Sequence, residues 1–275
     1  MRRPGFVAIV FIALLGTASG GLRPTGAPTL DTGYGQMYNV EFAEAHKTFQ
    51  AWRTAHPDDP MAPVSDAAAY LFAEFERLHI LQSEFFADDA EFKSRPKVAP
   101  DAGVKQAFLK QLDECDRIAN AALARNPQDK NAQFAKILAL GLRSNYLALI
   151  EKRYVASLVY MKTARTAAQA LLAKDGSFYD AYLSVGAENY MLGVRSAPVR
   201  FVLSVTGSKT DKAQGIRELK LTAEKGHYLE PLARLLLAVA ALRDKDKNKA
   251  RELLAGLSKE FPKNGLYARE LARLQ

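Results

Sequence analysis

Glu76-Arg77-Leu78-His79 sets a carboxylate three residues before an imidazole. That is the half-site carboxylate-bridged di-iron bundles use when two such pairs and two further Glu converge from facing helices. A plainer reading fits the surrounding residues better: a polar edge on a helix from Ala67 to Phe86, whose Tyr70, Leu71, Phe75, Leu78 and Leu81 form a buried stripe. HExxH is absent, and no His, Cys or Asp spacing matches a zinc site. Neither a G-x-S-x-G elbow, a P-loop nor a G-x-G-x-x-G fingerprint occurs. Cys115, the single cysteine, excludes an intrachain disulfide framework and a CxxC redox site. Its neighbours on a helical pattern are small, so it reads as a buried small hydrophobe and not as a nucleophile. The expectation is a chain with no catalytic residues, no metal and no cofactor.

Any function must then come from surfaces, and the elements that build them are helices. From residue 36 onward apolar residues recur at helical spacing, and no run of β-branched residues alternates with polar ones. The chain is expected to be all-α. At its start, Arg2 and Arg3 precede an apolar run from Phe6 to Leu15, and Thr17-Ala18-Ser19-Gly20 supplies small residues after it. This is the layout of a signal peptide over residues 1–20. Such a run spans about 15 Å as a helix, half of a hydrocarbon core, which disfavours a permanent anchor. An exported chain, periplasmic or secreted, is expected. Residues 21–35 are rich in Gly, Pro and Thr and read as a flexible tether to a repeat domain over 36–275.

Three linkers punctuate that domain: His56-Pro57-Asp58-Asp59-Pro60, Asn126-Pro127-Gln128-Asp129 and Phe261-Pro262-Lys263-Asn264. In each, Pro drives the preceding residue out of the α region, and an Asp or Asn follows that can cap the next helix. Counting back from each Pro recovers one pattern, a small residue with apolar or small residues four and seven positions later. Ala45, Phe49 and Trp52 carry it, as do Cys115, Ala119 and Ala122, and Ala250, Leu254 and Leu257. Weaker echoes are Thr163, Ala167, Ala170 before Asp175, and Gly215, Leu219, Thr222 before His227. The small residue lets one helix of a hairpin approach the other, while the later two lie on the same face and fill the groove between them. Tyr182, Val185, Gly186 and Asn189 fall where the first helix of a tetratricopeptide (TPR) repeat places its own signature. The fold expected is antiparallel helix hairpins stacked as a divergent TPR-like α-solenoid.

The stretch Gly207-Ser208-Lys209-Thr210-Asp211-Lys212-Ala213-Gln214-Gly215 follows Ala197-Pro198 and precedes Glu218-Leu219 and Phe261-Pro262-Lys263-Asn264. With these residues the chain resembles tetratricopeptide-repeat proteins, and residues 180–275 are similar to the tetratricopeptide-repeat-protein-39 family and its bacterial relatives. The resemblance implies a scaffold without an active-site motif.

Formal charge is +8, but the balance runs from −5 over residues 21–100 to +6 over 209–275. The basic run Arg243 to Lys249 alternates with acidic residues and is read as a solvated hairpin tip, so no nucleic-acid partner is expected. A basic face toward an anionic membrane surface stays open. In a repeat array the first helix of each hairpin lines the concave face. Asn145, Tyr146, Glu188, Asn189, Tyr190 and Arg195 are the candidates placed there to bind a protein partner, a peptide or a helix. The function expected is a non-enzymatic exported scaffold within a cell-envelope complex; the alternative is a helical carrier of a small apolar ligand or lipid.

Overall fold

The computed structural model describes residues 28–82, 98–193 and 211–274. The signal-peptide segment, Ala197-Pro198 and Gly207 to Thr210 lie outside the described residues, as does Arg195. The secondary-structure elements among the described residues are all helices and pack mainly against their sequence neighbours, an arrangement consistent with an α-solenoid. In chain order the helices are α1 (Leu30–Tyr38), α2 (Phe42–Ala55), α3 (Met61–Arg77), α4 (Ala102–Arg125), α5 (Lys130–Asn145), α6 (Tyr154–Lys174), α7 (Tyr182–Gly193), α8 (Lys212–Lys225), α9 (Glu230–Arg243), α10 (Lys247–Glu260) and α11 (Gly265–Ala272). A π-helical turn, Tyr146–Ile150, joins α5 to α6, and a short 3-10 turn, Tyr179–Ala181, precedes α7.

Helix starts follow from capping. Asp101, Asp129, Asp211 and Asp246 each accept a hydrogen bond from the backbone N–H three residues on, satisfying a donor that the first turn leaves free. Helix ends repeat as well. The backbone N–H groups of His56, Asn126, Asp175, Gly226 and Phe261 donate to the carbonyls of Trp52, Ala122, Leu171, Thr222 and Leu257, and the chain then turns. Aligning the hairpins on this bond places Ala45, Cys115, Ala164, Gly215 and Ala250 at one equivalent position, each buried. The third hairpin therefore differs from expectation by one residue. Ala164, Ala168 and Leu171 face inward, while Thr163 and Ala170 are exposed, and Gly176 stands where the others have Pro or His.

Two further expectations change. Residues 30–35 are not a tether, because they form most of α1. Leu30, Tyr34, Met37 and Tyr38 share one helical face and are buried. One of the glycines that suggested flexibility serves contact instead: a Cβ on Gly33 would lie 2.3 Å from Phe49 Cε1, so only Gly lets α1 seat on α2. The helix expected to reach Phe86 ends at Arg77, with His79 at φ 51 beyond it. Leu71 and Phe75 are buried; Tyr70, Leu78 and Leu81 are half-buried.

Helix α1 also meets the far end of the chain. Tyr34 stacks on Tyr228 with ring centroids 4.7 Å apart, and the Tyr38 hydroxyl donates to the Tyr228 carbonyl at 2.9 Å. Asn264 Nδ2 donates to the Tyr38 carbonyl at 2.9 Å, and Lys263 N to Asn39 Oδ1 at 3.2 Å. Phe261 packs against Tyr38. The array closes on itself, and one apolar core runs from Leu30 to Leu274. Asp180 supports the closure from the 3-10 turn: its carboxylate accepts the backbone N–H groups of His227, Tyr228 and Leu229, fixing the loop that presents Tyr228.

Candidate partner-binding surface

The residues expected on a concave face are mostly buried inside helix contacts. Tyr146 lies in the π-helical turn, buried, with its ring stacked on Phe108 at 5.2 Å. Asn145 is exposed at the end of α5. Glu188 is 1% exposed and its Oε1 accepts Arg165 Nη1 from α6 at 3.1 Å. Asn189 is fully buried and donates through Nδ2 to Glu218 Oε2 of α8 at 2.8 Å; Gln214 Nε2 donates to the other Glu218 oxygen. Tyr190 packs with Leu219, Leu237 and Ala240. The structure thus brings Glu188, Asn189 and Tyr190 together, as the junction of α6, α7 and α8 and not as a free surface. Burial raises the Glu188 carboxyl above the ordinary range, against the opposing pull of Arg165.

This junction is tight because its glycines remove side chains where the helices cross. A Cβ on Gly215 would lie 2.5 Å from Tyr190 N, and one on Gly186 would lie 2.9 Å from Leu219 N. Polar groups this deep need partners, since an unpaired one in such a setting costs on the order of 1 to 3 kcal/mol. Arg165 to Glu188 and Asn189 to Glu218 supply one bond each, while Arg165 Nε, Glu188 Oε2 and Asn189 Oδ1 stay buried without a hydrogen-bond partner.

The other chemically suggestive residues are also tied into packing. Glu76 lies 3.5 Å from Arg269 Nη2, and His79 is past the helix end, so the two are not a paired half-site on one helix. A second spacing of the same kind, Glu224 to His227, is likewise broken: α8 ends at Lys225, and His227 Nε2 lies 2.6 Å from Asp31 Oδ1. Among the described residues no group of three His, Cys, Asp or Glu is placed to hold a metal ion. Burial pushes the Cys115 thiol up to about 12, and its Sγ lies 3.7 Å from the Ala135 carbonyl, so the reactive thiolate is suppressed at neutral pH. His46 Nδ1 lies 2.5 Å from Asp66 Oδ1 and pins α2 to α3.

A different surface is open. Along the outward side of α4, Ala102, Lys105, Gln106, Leu109, Lys110 and Asp113 recur at helical spacing and line a groove of about 720 Å³. Glu114 and Arg117 continue it, and Arg53 of α2 forms part of the facing wall. The inward side of α4 is Phe108, Leu112, Cys115, Ala119 and Ala122, so the core holds the helix while the groove side stays free. Charges in the groove are pre-positioned. Arg117 and Arg53 both bond Glu114, with Nε and Nη2 at 2.8 and 2.7 Å, and hold its carboxyl below the ordinary range, Arg117 first. Lys105 reaches Glu151 at 2.7 Å, a bond that keeps the lysine charged. Four cations and two carboxylates flank Leu109, which is 38% exposed. The arrangement can bind the carboxylates of a peptide or helix while Leu109 covers an apolar side chain.

Sequence reasoning missed this groove. Its residues read as the ordinary solvated side of a long helix, and the only available hint was Leu109 standing on that side.

Compared with known proteins, the chain matches no family model, no curated protein and no solved structure. No helix among the described residues is long and apolar enough to cross a membrane.

Proposed function

We propose that the chain is an exported, non-enzymatic scaffold of TPR-like hairpins that holds a protein partner within a cell-envelope complex, and that the partner lies along α4. One observation carries this reading: an open groove spanning Ala102 to Arg117, charged and apolar by turns, on a helix whose other side is fixed in the core. The small buried residue that recurs at Ala45, Cys115, Ala164, Gly215 and Ala250 supports the repeat reading, and the signal-like residues 1–20 support export. The occupant favoured is a segment rich in carboxylates with at least one apolar anchor. The carrier alternative finds little support at the closure, where the cavity between Tyr38, Phe72 and Tyr267 is about 20 Å³, room for a single water and not for a lipid chain.

Affinity capture from the native host's envelope tests the proposal. The wild-type chain is expected to retain one dominant protein. The double variant Lys110→Glu/Arg117→Glu, which replaces two groove cations with carboxylates, is expected to retain about tenfold less, because it opposes the charges it must meet. Equal recovery by the two chains would exclude the groove, and retention of lipid in place of protein would favour the carrier.

A further inference from the structure

Helix α1 turns back into α2 through Asn39, Val40 and Glu41, against the preference of its own residues. Val40 has φ 57, a left-handed backbone in which a β-branched side chain crowds the following carbonyl. Glu41 N donates to the Gln36 carbonyl at 2.9 Å, the closing bond of a Schellman turn, a motif that normally puts Gly where Val40 stands. No side chain caps the start of α2. Neither Gly nor Pro occurs from Gln36 to Ala55, whereas Pro57, Pro127 and Pro262 follow α2, α4 and α10 and Gly226 follows α8. Taken alone, these residues favour one helix running from α1 straight into α2.

The far end of the chain imposes the turn. Lys263 N and Asn264 Nδ2 hold Asn39 and Tyr38, and Lys263 Nζ pairs with the Glu41 carboxylate. Tyr228 stacks on Tyr34, and His227 meets Asp31. The rest of the seat is Phe49 of α2 beneath Gly33, and Ser65 of α3, whose Oγ donates to the Tyr34 hydroxyl at 3.0 Å. None of these groups requires that the α1 it holds be joined to its own α2. Once residues 39–41 become helical, α1 leaves as an extension of α2 and the strain at Val40 is released. The freed helix can then enter the seat of another copy and remake the same contacts.

We propose that two copies of the chain exchange α1, so that each seat in the resulting dimer holds the second copy's helix. The closed monomer and the exchanged dimer share the contacts of the seat and differ at the turn, so residue 40 sets the balance between them. Exchange withdraws Leu30, Tyr34, Met37 and Tyr38 from the core, and the two forms therefore interconvert slowly. The exchange does not depend on the α4 groove having a partner.

Light scattering of the full chain after size-exclusion chromatography tests this, on samples equilibrated across a range of concentrations just below the thermal midpoint. A dimer fraction that grows with concentration is expected. Its topology is read with Asp31→Cys/His227→Cys and a short bismaleimide, since these side chains are exposed, lie 2.6 Å apart across the closure, and Cys115 is buried. In the dimer fraction the reagent is expected to join two chains; in the monomer fraction it joins the two cysteines of one chain. Val40→Gly suits the turn and disfavours the continuous helix, and is expected to lower the dimer association constant by at least about tenfold. Ala43→Gly, at an exposed position that is helical in both forms, is expected to change it by less than about twofold. Absence of a dimer throughout the range would overturn the proposal. So would a dimer crosslinked only within each chain, the outcome if residues 1–27 or any other surface held the copies together. Equal association by wild type and Val40→Gly, or equal loss in the two glycine variants, would overturn it as well. Thermal unfolding confirms that each variant folds.

Discussion

Gly215→Ala lowers the thermal midpoint by about 2 to 12 °C, whereas Gly141→Ala raises it by about 2 to 4 °C. The stated sizes come from about 2 to 4 °C per kcal/mol for a chain of this class. Both glycines lie inside helices, where Ala is intrinsically better by about 1 kcal/mol. A Cβ on Gly141 meets nothing within 4 Å, so the intrinsic gain is all that remains. A Cβ on Gly215 would lie 2.5 Å from Tyr190 N and 2.9 Å from the Gly186 carbonyl oxygen. Those are backbone atoms and cannot swing aside, so α7 and α8 must separate. That separation loosens the Asn189 to Glu218 bond and the packing of Tyr190, a loss of about 2 to 4 kcal/mol that exceeds the helical gain. Calorimetry on the two single variants checks both signs. A Gly215→Ala chain as stable as wild type would contradict the close crossing.

Glu188→Ala destabilises the fold by about 3 to 5 kcal/mol, while the double change Arg165→Met/Glu188→Leu costs little or stabilises it. Arg165 and Glu188 are 6% and 1% exposed, so removing the carboxylate strands a guanidinium away from water. Replacing both removes the need for compensation and leaves apolar volume in an apolar setting. Denaturant unfolding of wild type, the single and the double variant closes the cycle. Similar losses in both variants would mean that the pair does not act as a buried unit.

The same junction explains which parts of the molecule were legible in the sequence. Hairpin ends were readable at Pro57, Pro127 and Pro262 because Pro dictates local backbone geometry. The third hairpin was misread by one residue because α6 is rich in small residues: Thr163, Ala167, Ala170 and Ala164, Ala168, Leu171 both satisfy the spacing. Only burial tells them apart. Helix α1 was hidden by Gly33 and Gly35, which in isolation suggest flexibility but in the fold leave room for Phe49 at the first of them. Closure was beyond local reasoning, since Tyr38 and Asn264 meet across 226 positions of sequence.

The candidate site was less legible than the fold. Glu188, Asn189 and Tyr190 have the composition of a recognition surface, yet their neighbours Gly186 and Gly215 bring two helices so close that the polar groups bond one another. Conversely, Lys105, Gln106 and Lys110 look like any solvated helix face. Arg53 on α2 lines their groove too, and α2 is separated from α4 by a full helix of sequence.

Photo-crosslinking in the native host, with the crosslinker placed at Gln106 in the groove and at exposed Lys259 on α10 as a reference, tests the scaffold reading most directly. The account predicts a single dominant protein adduct at Gln106 that Lys110→Glu/Arg117→Glu abolishes, and no such adduct at Lys259. Identical adduct patterns at the two positions, or none at Gln106, would contradict it.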